Sequence, residues 1–100
     1  MTVNTTVSDG GNKVHISVGG KFDFQLYDEF RAAYANTRGE GAQYIVDLSA
    51  TEYLDSSALG MLLLLREHAG GESSDIRISK ESPEVKKILD VANFEKLFNI

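Results

Sequence analysis

The stretch that decides the fold is residues 44–68, YIVDLSATEYLDSSALGMLLLLREH. It opens on Tyr44-Ile45-Val46-Asp47-Leu48, a β-rich run with few polar residues. Such a run suits a central strand covered on both faces. Ser49 to Leu54 reads as the loop after it. Ser56 to His68 is the strongest helix of the chain, closed by Gly70-Gly71. Asp55-Ser56-Ser57 is a good N-cap cluster for that helix.

Working outward, the chain keeps alternating strands and helices. Upstream, Gln25 to Asn36 has a helical pattern, with Leu26, Phe30 and Ala33 on one stripe and Tyr27 and Tyr34 near its edge. Gly39-Glu40-Gly41 ends that unit. Before it, Lys13 to Val18 alternates, with Val14, Ile16 and Val18 facing one way and His15 and Ser17 the other. Val3 to Val7 is a short Thr-rich strand, and Gly10-Gly11-Asn12 is a tight turn that makes the two a hairpin. Gly19-Gly20 ends the second strand. Downstream, Ile76 and Ile78 alternate with Arg77 and Ser79 as a further strand. Ser82-Pro83-Glu84 combines a cap residue, a proline at the first helical position and an acid, and starts a helix running to about Ala92. Phe94 to Ile100 is an apolar tail that fits a helical turn and a final strand. The order β-β-α-β-α-β-α-tail predicts an α/β fold: a mixed central sheet with parallel crossovers and helices packed mainly on one side.

Size and composition bound the function. One hundred residues make one domain, spanning 1–100, and leave no room for a second core. Hydrophobic residues at 42% supply enough apolar surface to fold. The chain has no cysteine, which removes disulfides, thiolate metal sites and thiol nucleophiles. It has 10 basic and 15 acidic residues, and the bases are scattered apart from Lys86-Lys87. That pattern argues against nucleic acid and against anionic lipid as partners. The longest apolar run, Ala58 to Leu65, is far short of the roughly 20 residues of a membrane span. No basic-then-apolar leader opens the chain, so a cytoplasmic location is expected.

The motifs of catalysis and cofactor binding are missing. There is no GxGxxG, no Gly-rich loop ending in Lys-Ser/Thr and no GxSxG. With only His15 and His68 and no HExxH, no metal and no cofactor are expected. His15 lies on the polar side of its strand. His68 sits in the last turn of its helix, where a cation suits the dipole. Asp9, Asp75 and Asp90 read as solvated. The chain does not read as an enzyme.

The segment Asp55 to Glu67 exceeds a plain capped helix in two respects. Two hydroxyls stand at a helix N-terminus after a predicted central strand, where open α/β sheets place their sites and where a phosphate is accommodated. The leucine run is also too continuous for one face. At about 100° per residue, Ala58, Leu59, Leu62 and Leu65 form one side, while Ser56, Gly60, Leu63 and Glu67 share another, with Leu64 beside it. A surface joining a hydroxyl, a flat glycine and leucines suits a protein partner. Ser57 lies about 100° from Ser56 and is freer to cap or pack.

These residues resemble a STAS domain of the bacterial anti-sigma factor antagonists. The resemblance is carried by Gly20-Lys21-Phe22-Asp23, by Ile45-Val46-Asp47-Leu48-Ser49, by Asp55-Ser56-Ser57-Ala58-Leu59-Gly60 and by Ser82-Pro83-Glu84-Val85-Lys86-Lys87-Ile88-Leu89. The DSS-x-LG element is the specific one. The resemblance implies that Ser56 is the phosphoacceptor and that Asp23 lies near it. It implies a partner-binding and kinase-binding surface formed by Asp23, Asp55, Ser57, Gly60, Leu63 and Leu64. Ala58 stands where many antagonists have Gly, and the tail ends at Ile100 without the family's usual last helix. The implied partners are an anti-sigma factor, or a response regulator carrying serine kinase activity, with a PP2C-type phosphatase reversing the modification. The extended leucine run resembles the subgroup acting in biofilm, motility or exopolysaccharide control. The alternative is a structural STAS subunit of a lipid-transport ABC complex, docking through the same helix without phosphorylation. Monomer and weak dimer both stay open.

Overall fold

In the computed structural model, which describes residues 3–79 and 81–99, Val14, Ile16 and Val18 are all fully buried on one side of strand β2 (Lys13–Val18). β2 pairs antiparallel with β1 (Val3–Ser8). The turn between them is closed by the Asn12 N–H donating to the Asp9 carbonyl at 3.1 Å. Gly10 and Gly11 both have positive φ there, a backbone that side chains disfavour.

β2 also pairs parallel with β4 (Gln43–Asp47), and β4 pairs parallel with β6 (Asp75–Ser79). The sheet order is β1-β2-β4-β6, so β4 is an interior strand. Parallel neighbours require crossovers, and α1 (Tyr27–Tyr34) and α2 (Ser56–His68) supply them. After β6 comes α3 (Pro83–Val91), capped by Ser82, whose Oγ accepts from the Val85 N–H at 3.2 Å. The tail makes a helical turn at Phe94–Lys96, then a single parallel bridge from Asn99 to Arg77. The expected final strand is reduced to that bridge, and Ile100 lies outside the described residues.

The core lies on one face of the sheet. Val14, Ile16, Tyr44, Val46, Ile76 and Ile78 join Phe30, Leu62, Leu65 and Leu89 in one buried cluster. The opposite face overturns the expectation that β4 is covered on both sides. Register places His15, Ile45 and Arg77 side by side across three strands. His15 and Ile45 are half-buried and Arg77 is exposed. This face therefore carries a half-buried isoleucine flanked by a histidine and an arginine.

Two further expectations are corrected. The turn at Gly19-Gly20 and the loop from Ser49 to Leu54 contain strands: β3 (Gly20–Phe22) and β5 (Thr51–Leu54), paired parallel in a separate two-stranded sheet. Gly20, with φ of +75°, turns the chain out of the first sheet while its N–H donates to the Ala50 carbonyl at 2.9 Å. α1 is also shorter than its periodicity suggests. Residues Phe24–Leu26 form a tighter 3-10 turn, and the helix stops at Tyr34, which is buried rather than at a stripe edge.

Candidate functional site

The short sheet builds the site. Phe22 and Leu54 are register partners, and the Asp55 N–H donates to the Phe22 carbonyl at 3.4 Å. Both strands therefore end together, and each is followed by an aspartate. Asp55 is the N-cap of α2: its Oδ1 accepts from the Ala58 N–H at 3.1 Å. Asp23 caps the 3-10 turn after β3, its Oδ1 accepting from the Gln25 N–H at 3.0 Å. Extended φ/ψ at both positions lets the carboxylate fold back on the next turn. The structure thus brings Asp23 and Asp55 to one end of the molecule and gives each a local structural role.

Ser56 is the first residue of α2 and is exposed. Its position is the turn where N–H groups lack intrahelical acceptors and the helix dipole is positive. Ser57 is half-buried, and the capping is done by Asp55 rather than by either serine.

Along α2 the buried side is Ala58, Met61, Leu62 and Leu65. Leu59, expected in that set, is only half-buried, because it faces an apolar groove of 330 Å3 shared with Lys87, Ile88, Val91 and Ala92 of the α3 region. Ser56, Gly60, Leu63, Leu64 and Glu67 are exposed, Leu63 at 39% and Leu64 at 46%. Two adjacent leucines this open on a helix are not explained by the core. Gly60 is not explained by it either: a Cβ built there meets nothing within 4 Å. An exposed glycine inside a helix costs roughly 0.5–1 kcal/mol relative to alanine.

Two aromatic residues at the same end went unnoticed in the sequence. Phe24, next to Asp23, is 68% exposed and stacks on Tyr27 with ring centroids 5.6 Å apart. Tyr53, two residues before Asp55, is 48% exposed. Neither falls on a clean period, so their only signal is adjacency to the two capping acids. His68 departs from a simple dipole partner: its ring packs on Tyr34 at 5.1 Å and edge-on to Tyr44 at 6.3 Å. Asp47 is buried, accepts from the Ser49 N–H at 2.9 Å and lies 3.7 Å from His15 Nε2. Among the described residues, no group of three His, Cys, Asp or Glu side chains is placed to hold a metal, and no helix is long and apolar enough to cross a membrane.

A strand-and-helix order with paired caps at one end is a known plan, and the STAS family described as "Mlab, STAS domain" matches residues 5–99. This chain belongs to the STAS domain family. A STAS-domain containing protein of Pseudomonas aeruginosa (strain UCBPP-PA14) is 49% identical over 100 residues, covering all of this chain and 99% of that one. An anti-sigma factor antagonist from Mycobacterium paratuberculosis superposes with a TM-score of 0.73 at 24% identity, covering 97% of this chain and 83% of the other. SpoIIAA, an anti-sigma factor antagonist, is similar in two states. Its unphosphorylated form gives a TM-score of 0.66 at 16% identity, over 88% of this chain and 81% of that one. Its phosphorylated form gives 0.65 at 15% identity, over 96% and 87%. At these identities the solved structures show a shared fold, the mixed α/β STAS architecture.

Proposed function

We propose that this STAS domain is a cytoplasmic protein-binding switch controlled by phosphorylation of Ser56. The observation that carries the reading is the ridge along α2. An exposed hydroxyl at the helix N-terminus is followed on the same side by an open glycine and the exposed Leu63, with the exposed Leu64 beside them. Apolar surface left open beside a modifiable hydroxyl suits a contact that the modification controls. In the unphosphorylated form the ridge binds an anti-sigma factor, or a response regulator with serine kinase activity. The kinase modifies Ser56 and the complex parts. A PP2C-type phosphatase restores the binding form. SpoIIAA, whose fold is shared, has been described in both states, which supports the analogy.

The electrostatics follow from the site. A phosphoserine brings roughly −1.5 to −2 charges. In the free protein the N-terminal turn of α2 offers N–H groups and a positive dipole end to hold it. In a closed interface the same charge is stripped of water beside Asp55 and Asp23, which is costly. The phosphate is therefore tolerated by the free domain and opposed in the complex. The test is mass-spectrometric mapping of phosphate on protein purified from its native cell, combined with identification of co-purifying proteins. Phosphate on Ser56 only in the fraction lacking the partner is the expected result; phosphate on Ser56 within the complex contradicts it.

A second reading is favoured by one observation, the description of the matching family. In that reading the domain is a structural subunit of a lipid-transport ABC complex that docks constitutively through the same ridge. Phosphate-affinity electrophoresis separates the two: one unshifted band in every growth condition favours constitutive docking.

A further inference from the structure

A hollow of 390 Å3 lies between α1 and α2, lined by Tyr27, Arg31, Tyr34, Ala35, Leu64 and His68. Its volume falls within the range of small-ligand pockets. Tyr34 is only 5% exposed, yet its hydroxyl has no hydrogen-bond partner among the described residues. A buried tyrosine hydroxyl ordinarily finds one. Tyr44, buried nearby, illustrates the norm: its oxygen lies 2.7 Å from Thr37 Oγ1 and accepts from the Gly39 N–H at 2.9 Å. The Tyr34 hydroxyl is not sealed in either, since among the described residues the fully buried unpaired side-chain polar atoms are Arg66 Nε and Glu81 Oε2. It therefore has some access to solvent, and Tyr34 lines the hollow. Burial pushes the Tyr34 phenol above its ordinary range while the Arg31 charge acts on it in the opposite sense. The hydroxyl consequently remains a donor at neutral pH, with the guanidinium close by.

Arg31 is exposed and has no carboxylate partner among the described residues, on a chain with an excess of acids. Part of the remaining wall is apolar. Ala35 and Leu64 line it, and His68 packs with its ring tilted against Tyr34 and makes a 3.4 Å contact from Nε2 to Thr37 Oγ1. A hydroxyl donor and a guanidinium, both lacking an acceptor and set beside an apolar wall, are complementary to a carboxylate on a short apolar stem. We infer that the α1–α2 hollow is a binding site for such a carboxylate. The carboxylate has two sources: a free short-chain acid, or a glutamate side chain of a docked protein. Leu64 belongs to both the hollow and the α2 ridge, so the second source rests on the docking reading proposed above, whereas the first does not.

The experiment is heteronuclear NMR titration of the full chain. The probes are hexanoate, its neutral counterpart hexanamide, and the capped dipeptides N-acetyl-Leu-Glu-amide and N-acetyl-Leu-Gln-amide. Hexanoate is expected to shift the Tyr34, Leu64 and His68 resonances saturably, with hexanamide ineffective. Arg31→Gln should weaken hexanoate binding roughly tenfold or more, and Tyr34→Phe, which keeps the ring packing, by several-fold. Tighter binding of the glutamate dipeptide than of hexanoate assigns the site to a protein side chain. Saturation by hexanoate with no response to that dipeptide assigns it to a free acid and leaves the docking reading untouched. Equal binding of hexanoate and hexanamide, no saturable shift by any probe, or full binding by a folded Arg31→Gln protein overturns the proposal.

Discussion

The Thr51 hydroxyl donates to the Val18 carbonyl at 2.6 Å, spanning 33 residues of chain, and both groups are buried. Val18 ends β2 of the large sheet, and Thr51 begins β5 of the small one. This bond, with the Gly20 N–H to Ala50 carbonyl bond at 2.9 Å, joins the two sheets. It therefore fixes where β5 ends, and so where Asp55 and Ser56 stand.

Thr51→Val keeps the shape and removes the donor, leaving a buried carbonyl without its partner. The expected cost is about 1–3 kcal/mol. For a domain of this size that lowers Tm by roughly 4–8 °C per kcal/mol. Thr51→Ser should restore most of the loss. Thermal unfolding followed by circular dichroism measures both, and a Thr51→Val protein as stable as the parent contradicts the seam argument.

Asp55 should behave as a cap whose charge is secondary for stability. Asp55→Ala removes the acceptor for the Ala58 N–H and should cost about 1 kcal/mol. Asp55→Asn keeps a side-chain oxygen in place and should cost a few tenths at most, since asparagine ranks with aspartate as a cap. Urea unfolding of the two variants gives the comparison; equal losses point to the charge rather than the cap.

Most of the fold was legible, and the unread parts share one cause. β2, β4 and β6 announced themselves because each spends five or six residues on an alternating or continuously apolar pattern. β3 and β5 have three and four residues, too few for a period to emerge, and their partners are distant in sequence. Yet that pair is what brings Asp23 to Asp55, so the proximity implied by family resemblance had no local signal. The exposed side of α2 was readable because helical geometry alone sorts Ser56, Gly60, Leu63 and Glu67 from Ala58, Leu62 and Leu65. The degree of burial was not: Leu59 looks like core by spacing, but α3 meets it only along an open groove. The Arg31 guanidinium and the Tyr34 hydroxyl, without hydrogen-bond partners among the described residues, were illegible for the same reason, since only tertiary packing shows which polar groups find partners.

Gly60 separates stability from binding. A Cβ at this position meets nothing, so Gly60→Ala should stabilise the free domain by roughly 0.5–1 kcal/mol through helix propensity. If a partner approaches the bare backbone on this ridge, the same methyl stands in its way. The expected outcome is a higher Tm together with weaker partner binding, measured by calorimetry on the two proteins. A variant that is more stable and binds unchanged removes Gly60 from the interface.

The choice between Ser56 and Ser57 rests on exposure and direction. Both are serines at one helix start, so chemistry alone does not distinguish them. Ser56 is exposed and shares its side with Gly60 and Leu63; Ser57 is half-buried and turned about 100° away. Asp55 already fills the capping role, so Ser57 is not required for it. Ser57→Ala should therefore keep phosphorylation and change stability by less than about 0.5 kcal/mol. Ser56→Ala should abolish phosphorylation and hold the domain in its partner-binding form. Ser56→Asp should weaken that binding only in part, because one carboxylate has less charge and fewer acceptor oxygens than a phosphate. Raising ionic strength should narrow the gap between Ser56→Asp and the parent if screened charge repulsion causes it. Phosphopeptide mapping and binding isotherms at two salt concentrations test the set. Phosphate found on Ser57, or a Ser56→Asp protein that binds as tightly as the parent at low salt, would mean that the ridge geometry does not select the acceptor.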